Sequence, residues 1–159
     1  MNRKDWGAAD ALQSSAAFPD RVQSASAIWG LAFDKDGDEY VMLSMQAPSG
    51  ITGTLYLDID WATTATTGAV KWDVYIQAVT PDDAQNVLTS WGPGSVNTTT
   101  TTVPGTAGYM KRSTVTLSNT DSLAAGDQVW LLAGRNGSAG GDTCAADAIV
   151  FGFTFRDSA

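Results

Sequence analysis

The length, composition and charge of the chain exclude several classes of protein. Its 159 residues suit a single domain, because a chain of this size typically buries about 68–70% of the surface that its unfolded form exposes. With 16 Gly, 6 Trp and only 16% charged residues, the composition favours an aromatic-cored β protein over a helical bundle. The net charge is −8 without a basic stripe, and no run approaches the roughly 18 apolar residues of a membrane span. We therefore expect neither nucleic acid nor a membrane as a partner.

Residues 1–20 form the first predicted element, an extended N-terminal arm that precedes a domain over residues 21–159. Ala, Ser and Asp dominate this segment, which has little hydrophobic periodicity. A lone aromatic ring in a disordered tail gains nothing by itself, so Trp6 is predicted to anchor in a groove of a neighbouring molecule. Phe18, near the end of the arm, is predicted to bind a partner as well.

An acidic turn follows, with predicted strands over residues 27–33 and 40–47 on either side. The pattern predicts a β-hairpin whose tip is the charged run Asp34, Lys35, Asp36, Gly37, Asp38 and Glu39. An EF-hand is excluded, because the glycine falls at the fourth loop position and the twelfth is Met45. A looser calcium site is the alternative to a solvated tip.

Strict alternation of apolar and polar residues is the main signal along the rest of the chain, and it predicts half-buried strands. Three inward faces are predicted: Leu55, Leu57, Ile59 and Trp61; then Val70, Trp72, Val74, Ile76 and Ala78; and finally Ile149, Phe151, Phe153 and Phe155. Weaker strands are predicted over residues 109–117 and 128–135. The latter is apolar on both faces and contains Trp130, so we expect it to be central in its sheet. Together the pattern predicts an all-β, antiparallel β-sandwich of about eight strands, jelly-roll-like in architecture.

The polar residues on these strands include two candidate catalytic carboxylates. Asp58 and Asp60 share an outer face and could mimic a glycosidase pair, but nothing predicts a cleft or a raised pKa there. A solvent-exposed sheet face, with the carboxylates paired with Lys71, is the favoured interpretation.

The chain has no His, which removes the commonest general base and most zinc and copper sites. Cys144 is single, so no intrachain disulfide can form, and it is predicted to be a small buried side chain. We expect no enzyme activity, no cofactor and no metal.

The loops carry the remaining candidate site residues. Trp91 precedes Gly92, Pro93 and Gly94, where an exposed ring could stack on a sugar or on a partner subunit. Tyr109 is the second candidate platform. Between them, residues 95–108 include five consecutive threonines and are predicted to form a long loop or an edge strand.

Several of these motifs, in this order, resemble the small jelly-roll proteins encoded in the structural modules of tailed bacteriophages. The resemblance covers residues 18–156 and rests on LDIDW at 57–61, GAVKWDV at 68–74, PGTAG at 104–108, LAAGD at 123–127, RNG at 135–137, and Asp142, Thr143 and Asp147. It implies a non-enzymatic virion protein, made in the host cytoplasm.

The predicted function is a capsid decoration, or cement, protein on the outer capsid surface. Its partners would be the major capsid protein and copies of itself, with a homotrimer suggested by the three-fold sites of icosahedral shells. The alternative is a receptor- or carbohydrate-binding module of a tail or fibre, with Trp91 and Tyr109 as stacking platforms. A hydrolase is disfavoured, since the sequence offers no convincing acid/base pair.

Overall fold

A computed structural model describes residues 2–7, 10–13, 17–24, 27–89 and 91–158. Within these ranges every regular element is a β-strand. The strands are β1 (Arg3–Gly7), β2 (Leu12–Gln13), β3 (Asp20–Gln23), β4 (Trp29–Phe33), β5 (Asp38–Gln46), β6 (Leu55–Thr63), β7 (Ala69–Val79), β8 (Asn97–Thr102), β9 (Lys111–Leu117), β10 (Gln128–Asn136) and β11 (Ala148–Asp157). Among the described residues no helix is long and apolar enough to span a membrane.

The strands form two antiparallel sheets that pack face to face. The six-stranded sheet runs β3-β4-β11-β6-β9, and β1 pairs with β11 beside this path; the five-stranded sheet runs β2-β5-β10-β7-β8. From β4 onward the chain passes repeatedly between the two sheets, as in a jelly roll. One sheet has the order β4-β11-β6-β9 and the other the order β5-β10-β7-β8. The predicted all-β sandwich is confirmed, and β10 is central in its sheet as expected.

The core lies where the alternating faces of β6 and β7 meet. Leu57, Ile59 and Trp61 are fully buried, as are Val70, Trp72 and Val74, which confirms the inward faces predicted for these two strands. The ring of Trp72 contacts those of Phe33 and Trp61 edge to face, with centroids 5.6 Å and 5.8 Å away. The indole N–H of Trp61 donates to Ser113 Oγ at 2.8 Å. Aromatic packing therefore joins the two sheets.

The inward face predicted for β11 is only half right. Phe153 and Phe155 are buried, but Ile149 and Phe151 are half-buried and alternate with the buried Ala148 and Val150 instead. The cause is a register shift against β6: Val150 pairs with Trp61 while Gly152 pairs with Asp60, so Phe151 is one extra residue. A β-bulge of this kind reverses the side-chain alternation.

The predicted hairpin around the acidic turn is wrong. β4 belongs to the six-stranded sheet and β5 to the five-stranded sheet, so residues 34–37 cross between the sheets. The carboxylates hold this connection together: Asp34 Oδ1 accepts from the Asp36 N–H, and Glu39 Oε2 accepts from the Asp34 N–H. Both arrangements satisfy the same alternating pattern, so the strand sequences do not distinguish them.

The predicted N-terminal arm is not confirmed either. β1 pairs with β11 along its whole length, and β2 pairs with β5, so the described part of this segment extends both sheets. The segment is also tied to the last strand by Asn2, whose backbone N–H and side-chain amide donate to the Asp157 carboxylate at 2.8 and 2.9 Å. These contacts integrate the N-terminal residues into the sandwich.

A buried ion pair fixes the connection between β10 and β11. The guanidinium of Arg135 is fully buried and donates to both carboxylate oxygens of Asp142 at 2.7 and 2.8 Å. It also donates to the carbonyl oxygens of Phe33, Cys144 and Ala146. Burial alone would lower the pKa of Arg135, but the hydrogen bonds and charge of Asp142 outweigh burial and raise the pKa.

Candidate functional site

The outer face of the five-stranded sheet carries a cluster of aromatic side chains. Because Val41, Leu43 and Met45 of β5 point into the core, Tyr40 and Met42 point away from it. By the same alternation Tyr75 on β7 and Leu132 on β10 face outward. The Tyr40 and Tyr75 rings lie on either side of β10, with centroids 6.2 Å apart and planes inclined by 61°.

A solvent-open cleft of about 270 Å³ lies against this cluster, and we call it the aromatic cleft. Its lining residues are Tyr40, Tyr75, Trp91, Pro93 and Leu132. Tyr40, Tyr75 and Leu132 come from the sheet, whereas Trp91 and Pro93 come from the long connection between β7 and β8. Three aromatic rings therefore converge on one small open space.

Gly134 makes room for one of these rings. It pairs with Tyr40 across the β5–β10 ladder and with Asp73 across the β10–β7 ladder. A Cβ added to Gly134 would lie 2.6 Å from Tyr40 Cδ1 and would also clash with the carbonyl oxygen of Glu39. The absence of a side chain at Gly134 lets the Tyr40 ring lie over β10.

The connection that carries Trp91 is fastened to the sheet by a buried amide. Gln77 lies on the outer face of β7 and is only 2% exposed, and its Oε1 accepts a hydrogen bond from the Gly92 N–H at 3.4 Å. Trp91 itself remains 45% exposed. The structure thus holds the backbone beside Trp91 close to the sheet while leaving much of the indole open to solvent.

A buried carboxylate lies beside the cleft. Asp73 is 3% exposed, its Oδ2 accepts from Asn136 Nδ2 at 2.7 Å, and its Oδ1 has no hydrogen-bond partner among the described residues. Burial raises the pKa of the Tyr40 hydroxyl, and the negative charge of Asp73 raises it further. Tyr40 is therefore a neutral hydroxyl that lies within reach of the negative charge of Asp73.

The four predicted site residues are not brought together. Trp91 lines the aromatic cleft, whereas Tyr109 is 65% exposed in the β8–β9 connection and is not among the lining residues. Phe18 is partly buried against the core. Trp6 is 6% exposed and its indole N–H donates to the Ser44 carbonyl oxygen at 3.3 Å, so the ring pictured as an exposed anchor packs inside its own chain.

Tyr40, Tyr75 and Leu132 were missed as site residues. Alternation alone places Tyr75 on an outer face, so the sequence contains part of the signal. What it does not contain is the pairing of β5 and β7 on either side of β10, which puts the two tyrosines next to each other.

A second groove, of about 460 Å³, lies at one end of the sandwich. Its lining holds hydroxyl and aliphatic groups without an aromatic ring: Ile51, Thr52, Gly53, Thr54, Leu55, Thr116, Leu117, Ser118, Thr120 and Leu123. We call it the threonine groove. It is larger than the aromatic cleft, but it presents no flat apolar surface on which a ligand could stack.

The acidic pair on β6 is occupied by ion pairs. Arg156 donates to Asp58 at 2.7 Å, and Arg112 donates to both oxygens of Asp60 at 2.6 Å. Burial would raise the pKa of Asp58, but hydrogen bonds from Arg156 and Thr114 outweigh burial and lower the pKa. A glycosidase acid requires the opposite shift. The predicted pairing with Lys71 is wrong, because Lys71 lies on the other sheet.

The other candidate groups have structural partners. The Cys144 side chain is buried as predicted, and its Sγ donates to the Ala146 carbonyl oxygen at 3.2 Å. Over the described ranges, no three or more His, Cys, Asp or Glu residues are grouped so that they could hold a metal ion.

Comparison with known proteins identifies the fold. No family model and no curated protein matches the chain. Among solved structures, an exo-β-1,3-galactanase from Phanerochaete chrysosporium with galactose matches over 98% of this chain, with 11% identity and a TM-score of 0.53. The chain spans only 30% of that enzyme.

Two smaller structures match over nearly their full lengths. A family 35 carbohydrate binding module from Clostridium thermocellum has 13% identity and a TM-score of 0.52, covering 99% of this chain and 100% of the module. A CBM36 carbohydrate-binding module in complex with calcium and xylotriose has 19% identity and a TM-score of 0.49, covering 96% and 99%. The galactanase and the family 35 module, whose TM-scores exceed 0.5, establish a shared sandwich fold, and identities this low establish nothing finer. The structures named here do not point to phage proteins, so the capsid decoration role and the placement on a virion stay predictions.

Proposed function

We propose that this chain is a carbohydrate-binding module and that the aromatic cleft is its sugar site. The observation that carries the proposal is the convergence of Tyr40, Tyr75 and Trp91 on one open space. Ligand pockets are typically concave and aromatic-lined, with a few polar groups that fix orientation. A pyranose ring has an apolar face of C–H groups and a polar rim of hydroxyls. Tyrosine and tryptophan match it, because each combines an apolar face with one polar group.

The fold supports the proposal without deciding it. Jelly rolls serve as lectin domains and as viral capsid domains, and a fold does not by itself imply a function. Two of the named structures similar in fold are described as carbohydrate-binding modules. The aromatic cleft supports the same function independently of the fold, because the argument from its rings depends only on this chain's own side chains.

Binding without turnover follows from the side chains present. None of the residues that line the aromatic cleft has a carboxylate, so the cleft lacks the pair of carboxylates that glycoside hydrolysis ordinarily uses. The acidic pair Asp58 and Asp60 lies on the other sheet and is held by arginines. We therefore propose a non-catalytic module.

The ligand is a neutral sugar in this proposal. The charge of Asp73 acts on Tyr40 in the lining of the cleft, and the chain has a net charge of −8, so a uronic acid or a sulfated sugar would be repelled. The volume of about 270 Å³ is near the lower limit for ligand pockets, which suits one or two sugar rings of an open chain.

A glycan array compared across two matched variants tests the proposal. Trp91→Ala removes a ring from the cleft, whereas Tyr109→Ala removes an exposed ring from a different connection. We expect the wild type and Tyr109→Ala to bind the same neutral glycans. Trp91→Ala should bind about tenfold more weakly, which corresponds to about 1.4 kcal/mol. Equal binding by the two variants, or no glycan bound by the wild type, would contradict the proposal.

A further inference from the structure

The buried carboxylate of Asp73 has no cationic partner in the described part of the chain. Its Oδ2 accepts from the neutral amide of Asn136, its Oδ1 has no described partner, and none of the ion pairs between described residues includes it. Lys71 is two residues away on β7, but its Cδ lies near Gly141 of the β10–β11 connection. An uncompensated buried charge destabilises a fold. A cation from outside the chain would therefore stabilise this carboxylate.

Asp73 lies next to two of the rings that line the aromatic cleft. Asp73 and Tyr40 pair with the same residue, Gly134, from opposite sides of β10. Tyr75 follows Asp73 by two residues on β7, so both side chains point to the outer face, about 7 Å apart along the strand. Burial and then the charge of Asp73 raise the pKa of the Tyr40 hydroxyl, so this charge acts on a ring of the cleft.

The rings of the cleft favour a positive group as well. The face of a tryptophan or tyrosine ring attracts a cation, and groups of such rings bind quaternary ammonium ligands in other proteins. None of the residues that line the cleft carries a positive charge. The described cations that lie over an aromatic ring are Lys4, over Trp6, and Arg156, over Tyr56, and neither ring belongs to the cleft. The chain thus brings together three rings and a negative charge without supplying the cation.

We propose that the aromatic cleft binds a sugar with a protonated amino group more tightly than the same sugar with a hydroxyl group in that place. The inference rests on the proposed function and narrows its ligand, because the charge that repels acidic sugars attracts basic ones. The net charge of −8 acts in the same direction. The ammonium group would lie toward Asp73 while the sugar ring stacks on Trp91. The preferred ligand class is thus an amino sugar that is not acetylated, as in chains of glucosamine.

Calorimetric titration with a matched pair of tetrasaccharides tests the preference. Cellotetraose and the tetramer of glucosamine share a β-linked glucose backbone and differ in the group at C2, which is a hydroxyl in the first and an amine in the second. In mildly acidic buffer, in which the amines are protonated, we expect the glucosamine tetramer to bind about 2–30-fold more tightly, the range that a cation–π contact provides. Binding of the glucosamine tetramer that is equal to or weaker than that of cellotetraose would overturn the proposal.

Two variants, each lacking one negative charge, test the role of Asp73. Asp73→Asn keeps an amide oxygen that can accept from Asn136, whereas Asp36→Asn changes an exposed residue of the β4–β5 connection whose charge is not among those that act on Tyr40. The readout is the ratio of the two dissociation constants, which a general weakening of both sugars does not change. We expect the ratio to fall toward one in Asp73→Asn and to keep its wild-type value in Asp36→Asn. A ratio that Asp73→Asn leaves unchanged would show that Asp73 does not select the ligand and would overturn the proposal.

A cation without a sugar separates this proposal from the function on which it rests. In an NMR titration of the wild type, tetramethylammonium chloride should shift the indole N–H signal of Trp91, whereas tert-butanol, a neutral probe of similar shape, and sodium chloride at the same concentration should not. If tetramethylammonium shifts this signal but no sugar binds, the proposed function fails and the preference of the cleft for a cation stands. If neutral sugars bind but tetramethylammonium acts only as sodium chloride does, the cation preference is wrong and the proposed function stands.

Discussion

The ring of Tyr40 lies against the backbone of Gly134, so closely that a Cβ on Gly134 would be 2.6 Å from Tyr40 Cδ1. This contact connects a glycine of the central strand β10 to the shape of the aromatic cleft. Gly134 is buried between β5 and β7, and Tyr40 cannot keep its position if a side chain is present beneath it.

Replacing Gly134 by Ala should therefore weaken sugar binding and lower stability together. The added methyl group also meets the backbone of Glu39, which cannot move without disturbing the ladder. Overpacking of this kind typically costs about 1–3 kcal/mol in free energy of unfolding. Urea unfolding and calorimetric titration with the array's best sugar measure the two effects. Gly105→Ala is the control, because a Cβ there has nothing within 4 Å. If the sugar affinity of Gly134→Ala is unchanged, the position of the Tyr40 ring does not matter for sugar binding.

Loss of the buried ion pair between Arg135 and Asp142 should destabilise the protein more than loss of the exposed pair between Arg112 and Asp60. Arg135→Met leaves the Asp142 carboxylate buried without its partner, and an uncompensated buried charge costs about 3–5 kcal/mol. Arg112→Met removes the same charge from the more exposed pair with Asp60, where the cost is about 0–1 kcal/mol. The free energies of unfolding in urea provide the comparison. If the two variants lose similar free energies of unfolding, the Arg135–Asp142 pair does not hold the β10–β11 connection in place.

Acid should destabilise the protein partly through the carboxylate of Asp157. Hydrogen bonds from Asn2 lower the pKa of Asp157 to about 2. The pKa of an aspartate in the unfolded chain is about 3.9. Because the pKa of Asp157 is lower in the folded protein, its carboxylate stabilises the fold above about pH 3.9, and this contribution is lost as the pH falls toward 2.

Asn2→Ala removes the side-chain hydrogen bond and should raise the pKa of Asp157 toward its ordinary value. The variant should also lose less stability than the wild type between pH 4 and pH 2, because the ionised carboxylate of Asp157 stabilises the variant less in the first place. Carboxyl NMR titration gives the pKa, and urea unfolding at several pH values gives the slope. A pKa of Asp157 that stays near 2 in the variant would show that Asn2 is not its cause.

Local patterns predicted β6 and β7 well, because the inward faces of these two strands depend only on alternation. The same rule failed in β11, where the extra residue Phe151 reverses the faces and nothing in the sequence marks the bulge. It also could not tell a hairpin from a crossover at residues 34–37. These are properties of strand pairing over long distances along the chain, which local periodicity does not contain.

The candidate site shows the same limit. Trp91 was predicted as an exposed platform from the Gly and Pro residues that follow it, and it does line the cleft. Its partners Tyr40 and Tyr75 are far from it in the sequence and meet it only through the strand order β5-β10-β7. Trp6 was assigned to an arm because the short strands β1 and β2 have too few residues to show a period.

The most direct test of the central claim is an NMR titration of the labelled protein with the neutral oligosaccharide that it binds best. The account predicts that the shifted signals cluster at the aromatic cleft, on Tyr40, Tyr75 and the indole N–H of Trp91, and that they disappear in Trp91→Ala. Shifts that cluster instead at the threonine groove, around Thr52 and Thr116, or an absence of saturable shifts with any neutral sugar, would contradict it.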